Sequence, residues 1–159
     1  QIGAFDEYLG VGAAEFPAAE DTDYNRRVLA AGVRVLCSPA AVMRHTYGVR
    51  RGARQYLRLT WSYARGNAGL DGKLTLSGDP HGQASASHRV RRAISGSVRA
   101  GKVYKLPFEI VEALVYRAAY RRCLRAFVIG PDGMLAPLDV AAASDNHSLA
   151  SARSTERAG

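Results

Sequence analysis

The chain has 159 residues, enough for one ordinary domain and short for two. Its 47% hydrophobic content suits a globular protein, and no apolar run approaches the ~20 residues that cross a bilayer as a helix. Cys37 and Cys123 stand far apart, which fits neither a disulfide framework nor a zinc pattern and agrees with a reducing compartment.

The formal net charge of +8 is unevenly placed. Residues 1–48 hold four Arg against six Asp/Glu, a net of −2. Residues 49–138 hold sixteen Lys/Arg against five acids, a net of +11, and residues 139–159 return to −1. An acidic head before a basic body suggests an anionic partner for the second part: phosphate groups, an anionic membrane surface or nucleic acid.

Residues 1–17, with three Gly and a Pro among short apolar groups, read as a structured loop. A helix is expected from about Ala19 to Ala31, with Tyr24, Val28 and Leu29 on one face and Gly32 as a left-handed C-cap. "VRVLC", 33–37, has the β-branched content of a short strand, broken by Ser38-Pro39. "AVM", 41–43, is a second extended stretch leading to Arg44-His45. A helix over 50–66 ends at Gly66, and the Gly-, Ser- and Asp-rich residues 67–88 read as loop. A short basic helix follows around 89–100.

The strongest helix signal spans 106–130. Pro107 suits its first turn, Ile110, Val111, Leu114, Val115, Ala118 and Ala119 form an apolar stripe, and Gly130-Pro131 stops it. From Asp139 the Ala/Ser-rich tail has little to bury and is expected to be disordered. There is no internal repeat and no signal-peptide pattern.

The acids concentrate at the start of the first helix, where Glu20, Asp21 and Asp23 fall in one turn. Carboxylates there interact favourably with the helix dipole, each by about 0.3–1 kcal/mol, and that alone explains such a cluster. The alternative is a pocket lined by the Gly-rich loop, the acid pair and His45.

The order of the elements carries a resemblance. Gly3-Ala4-Phe5-Asp6-Glu7 is followed by Glu20-Asp21-Thr22-Asp23-Tyr24-Asn25-Arg26-Arg27, then by Gly32, Pro39 and His45. This resembles the second half of the catalytic domain in family-two, inverting, nucleotide-sugar glycosyltransferases of the GT-A fold. There a G-G-F-D-E segment precedes an E-D-x-D helix, a strand and a closing His. Only Ala4 departs, where a second Gly is usual. The likeness is close over about residues 1–48 and weaker over "SYARGNAGLDGKLTLSGDP", 62–80.

The resemblance implies an α/β fold: a partial GT-A domain, 1–48, lacking its N-terminal nucleotide-binding half with the opening βαβ units and D-x-D motif. A mostly helical basic extension, 49–138, and a disordered tail, 139–159, would follow. It implies transfer of a sugar from a nucleotide sugar to a saccharide or lipid-linked acceptor with inversion. Asp21 would be the general base, with Glu20 beside it binding the acceptor or holding Asp21. Asp6, Glu7 and Arg27 would serve the substrate side, Asp23 would be structural, and His45 would complete a Mn²⁺ or Mg²⁺ site. Without the donor half the isolated chain would be inactive. The expected location is cytoplasmic, with peripheral contact at the inner membrane face.

Two other readings concern the basic part. The 106–130 helix, with Arg117, Arg121, Arg122 and Arg125 on or beside its stripe, is either a core helix with a solvated basic face or a surface-lying membrane helix. A non-catalytic remnant or interaction module is the alternative to an enzyme. Tyr56, Trp61, Tyr63 and Tyr104 among cations superficially suggest nucleic-acid binding, but no helix-turn-helix, zinc-finger or RNA-binding signature accompanies them, so nucleic acid is not an expected partner.

Overall fold

The computed structural model describes residues 2–36, 38–42 and 52–139. Four helices occur there: α1 (Glu20–Ala30), α2 (Ala53–Leu76), α3 (Pro80–Arg99) and α4 (Leu106–Ala126). A 3-10 turn at Val103–Lys105 leads into α4, and β1 (Phe127–Ile129) pairs antiparallel with β2 (Leu135–Pro137).

Helix α1 ends as its sequence requires. Gly32 takes φ 73°, its N–H donates to the Leu29 carbonyl at 3.0 Å, and Val33 N–H reaches back to Val28 at 3.2 Å. This is the double closure of a left-handed C-cap. Its start is less ordinary, because Ala19 sits at φ 77° with no side-chain cap. A left-handed backbone costs an L-residue about 1–2 kcal/mol, so the chain holds strain directly before Glu20.

The expected loop at 67–88 is helical for most of its length: α2 runs on to Leu76, and α3 begins at Pro80. Glycine inside a helix costs roughly 1 kcal/mol relative to alanine, which is why "RGNAGLDG" reads as a breaker. Here the missing side chains are what permit packing. A Cβ on Gly69 would lie 2.4 Å from the Phe16 ring, and one on Gly72 would lie 2.7 Å from Cys123 Sγ. The turn into α3 has its own chemistry: Gly78 closes α2, Asp79 Oδ1 accepts from His81 N–H at 2.8 Å, and Pro80 opens the next helix.

Helix α4 buries part of the stripe its apolar residues trace. Ala119 is buried and Val115 packs on the core, but Tyr116 and Cys123 complete the inward face, whereas Ile110, Val111, Ala118 and, at 62% exposure, Leu114 face out. Gly72 of α2 leaves room for the Cys123 sulfur at close range. Tyr116 Oη then donates to Asp71 Oδ2 at 2.6 Å. Burial pushes the Cys123 thiol up to about 12, aided by the Asp6 charge, so it stays protonated. The helix stops at Ala126 rather than at 130, and Phe127 begins the hairpin, which the sequence pattern did not suggest.

One core joins what the charge pattern divides. Leu9 and Phe16 from the acidic head pack with Ala64 and Ala68 of α2, Tyr116, Ala119 and Cys123 of α4, and Phe127 and Leu135 of the hairpin. Phe127 meets Tyr8 edge-on with ring centres 5.1 Å apart and Phe16 at 5.5 Å. Position 48 therefore marks no break in packing. Val33–Leu36, expected as strand, pairs with no strand among the described residues and leaves Leu36 86% exposed. Cys37, the end of the "AVM" stretch, His45 and the tail 140–159 lie outside the described residues. No described helix is long and apolar enough to cross a membrane.

Candidate functional site at the start of the first helix

The acidic residues separate into two sets. Asp23, on the inward side of α1, is 3% exposed, and Asp6, from the loop before it, is 1% exposed. Between them lies Lys73 of α2, whose Nζ stands 2.8 Å from Asp6 Oδ2 and 2.9 Å from the Asp23 carboxylate. Asp6 also accepts from the Tyr8 amide at 3.0 Å and the Leu135 amide at 2.9 Å. Asp23 Oδ2 further accepts from Arg27 Nε at 3.0 Å, one turn along α1. Two anions meet two cations, so the buried cluster is formally neutral.

Arg27 also donates to the carbonyls of Ile2 and Ala4 and lies over the Tyr24 ring, 5.3 Å from its centre. Thus the N-terminal segment, α1, α2 and the hairpin are held at one point. Asp6 and Arg27, expected on the substrate side, instead direct their polar atoms into this internal cluster. The reason is Lys73: a buried ammonium needs anionic partners, and Asp6 with Asp23 supplies both. Asp23 is enclosed with them in the same cluster. Arg26 turns the other way and pairs with Asp79 at 2.8 Å. The His81 amide and then Arg26 hold the Asp79 carboxyl below its ordinary value.

Glu20, half-buried, and Asp21, exposed, form the second set. Gly10 packs on Glu20 so tightly that a Cβ there would lie 2.9 Å from the Glu20 Cβ, and its φ of 113° also favours glycine. The Gly-rich loop and the acid pair are thereby neighbours. Asp21 is exposed, with Oδ1 accepting from the Thr22 amide at 2.7 Å and the Thr22 hydroxyl at 3.2 Å. Its Oδ2 meets no donor among the described residues. Glu7 is exposed as well.

The described residues alone do not make a divalent-metal site. Lys73 Nζ takes the position a cation would need between Asp6 and Asp23, and no group of three His, Cys, Asp or Glu is arranged for ligation among the described residues. The expected ligand His45 is outside them. The residue that sequence reasoning missed is Lys73. Its signal was a single lysine amid small residues, GLDGKL, where a helix packed on both sides leaves a cation no route to water.

No family model, curated protein or solved structure matches this chain.

Proposed function

We propose that this chain is the acceptor-side part of an inverting nucleotide-sugar glycosyltransferase, with Asp21 as general base. One observation carries the reading: the E-D-x-D helix is divided, so that Asp23 is locked to Lys73 and Arg27 while Asp21 is exposed and the half-buried Glu20 beside it packs against Gly10. In the reaction Asp21 takes the proton of an acceptor hydroxyl as its oxygen bonds to the anomeric carbon. The bond from that carbon to the nucleoside diphosphate breaks, and the diphosphate leaves with the electron pair. A positioned base of this kind contributes roughly 10²–10⁴-fold. Glu20, pinned under Gly10, keeps the acid pair in register.

The donor-binding half, with its metal, lies outside these 159 residues in this reading. Support comes from apolar groups that stand exposed beside α1: Leu29, Val33, Val35, Leu36 and Val42. Exposed large apolar groups grouped in this way are what a neighbouring unit would bury. The enzyme would act at the cytoplasmic face of a membrane on a saccharide or lipid-linked acceptor.

A non-catalytic interaction module is the second reading, favoured by the full exposure of Asp21 and its tie to Thr22. Sugar transfer and hydrolysis from common nucleotide sugars, assayed with and without upstream coding sequence, separate the two. The enzyme reading expects turnover in the longer form that falls at least about 10²-fold in Asp21→Asn. Equal inactivity of both forms supports the module.

A further inference from the structure

A groove away from the buried ion cluster runs along α2. It has a volume of about 1120 Å³ and is walled by Ala13 and Pro17 of the Gly-rich loop and by one face of α2. That face presents Arg54, Arg58, Trp61 and Arg65, spaced by four, three and four residues, so the four side chains share a stripe on successive turns. Arg65 fixes the opposite wall, donating to the carbonyls of Ala14 and, at 2.8 Å, Glu15. Arg54 and Arg58 are exposed and meet no carboxylate among the described residues. Trp61 is 42% exposed, with its ring lining the groove between these cations.

Two uncommitted guanidiniums suit the oxygens of a phosphate, which they can bind through paired N–H groups. A flat indole suits the C–H face of a sugar ring, being apolar over a large area with a single polar edge. We infer that this groove binds a phosphorylated saccharide, with the phosphate on Arg54 and Arg58 and the sugar ring on Trp61. Pro17 and Asp21 are four residues apart, so their Cα atoms are at most about 14 Å from each other. On the transferase reading, that nearness along the chain makes the phosphorylated saccharide the acceptor class. The name "acceptor" rests on that reading; the binding itself does not.

Trp61 is the only tryptophan in the chain, so its fluorescence reports the groove directly. Titration with α-D-glucose 1-phosphate is expected to give a saturable change. Glucose and inorganic phosphate should each bind at least roughly ten-fold more weakly. Arg54→Ala with Arg58→Ala should weaken sugar phosphate by a similar factor while circular dichroism stays unchanged, since both side chains are exposed. Arg117→Ala, on α4, should have no effect. By calorimetry, Trp61→Ala should weaken the sugar phosphate and leave inorganic phosphate as it was. Tighter binding to phosphatidylinositol vesicles than to the free sugar phosphate would assign a lipid-linked source, and the reverse a soluble one. No saturable change at millimolar sugar phosphate overturns the inference. So does equal binding of phosphatidylglycerol vesicles, or tighter binding of a single-stranded oligonucleotide with steep salt dependence. None of these readings requires turnover, so failure here and failure of the transferase reading are separately visible.

Discussion

The carboxylates around the start of α1 have opposite fates. Asp6 and Asp23 are nearly inaccessible and closed around Lys73, whereas Asp21 is exposed and Glu20 half-buried at the strained start of the helix. The difference comes from helix geometry and one cation. On a helix beginning at Glu20, position 23 turns toward α2 when 21 turns away, and Lys73 waits where 23 arrives. A dense run of acids thus divides into a part that joins four pieces of chain and a part that does not. Neither could be told from the other by composition.

The sharpest way to break the inward device is Lys73→Met, which leaves Asp23 with Arg27 as its one cation and Asp6 with only the Tyr8 and Leu135 amides. Removing one member of a buried pair costs about 3–5 kcal/mol, and urea unfolding should show a loss of that size. A loss under about 1 kcal/mol would mean that the cluster is wet and unimportant. Gly69→Ala tests the packing that brings α2 to the loop. Its Cβ would strike the Phe16 ring, so a loss of about 1–3 kcal/mol is expected.

The smallest effect lies in α4 and carries a pH sign. Burial, then the neighbouring Glu109, raises the Glu112 carboxyl above its ordinary 4.5. In the window above 4.5 the folded chain holds a proton that the unfolded chain has released, so stability falls as pH rises through that window. Glu112→Gln should therefore raise the melting temperature at neutral pH, and the gain should vanish at about pH 3. A gain that persists in acid would point to packing rather than charge.

Much of this arrangement was legible before any coordinates. The C-cap at Gly32 and the proline opening of α4 follow from local rules that the packing had no reason to override. The failures share a cause, because they arise where tertiary contacts reverse a local cost. Gly66, Gly69 and Gly72 break helices in isolation, yet here they admit Ala18, Phe16 and Cys123 at van der Waals range. The α4 stripe was legible in part: Ala119 and Val115 meet the core, while Cys123, seated against Gly72, draws the buried face away from Leu114. The "SGDP" turn, read as part of a loop, supplies the end of α2 and the Asp79 cap and N1 proline of α3. Asp6 pairs with Lys73 across 67 residues, a distance at which local patterns carry no information.

The most direct test compares Asp21→Asn with Asp23→Asn in a form carrying a donor-binding half, reading transfer rate and melting temperature together. The outward–inward division predicts that Asp21→Asn lowers the rate by at least about 10²-fold at an unchanged melting temperature, while Asp23→Asn lowers the melting temperature. Undiminished transfer in Asp21→Asn, or a melting loss there equal to that of Asp23→Asn, would contradict it.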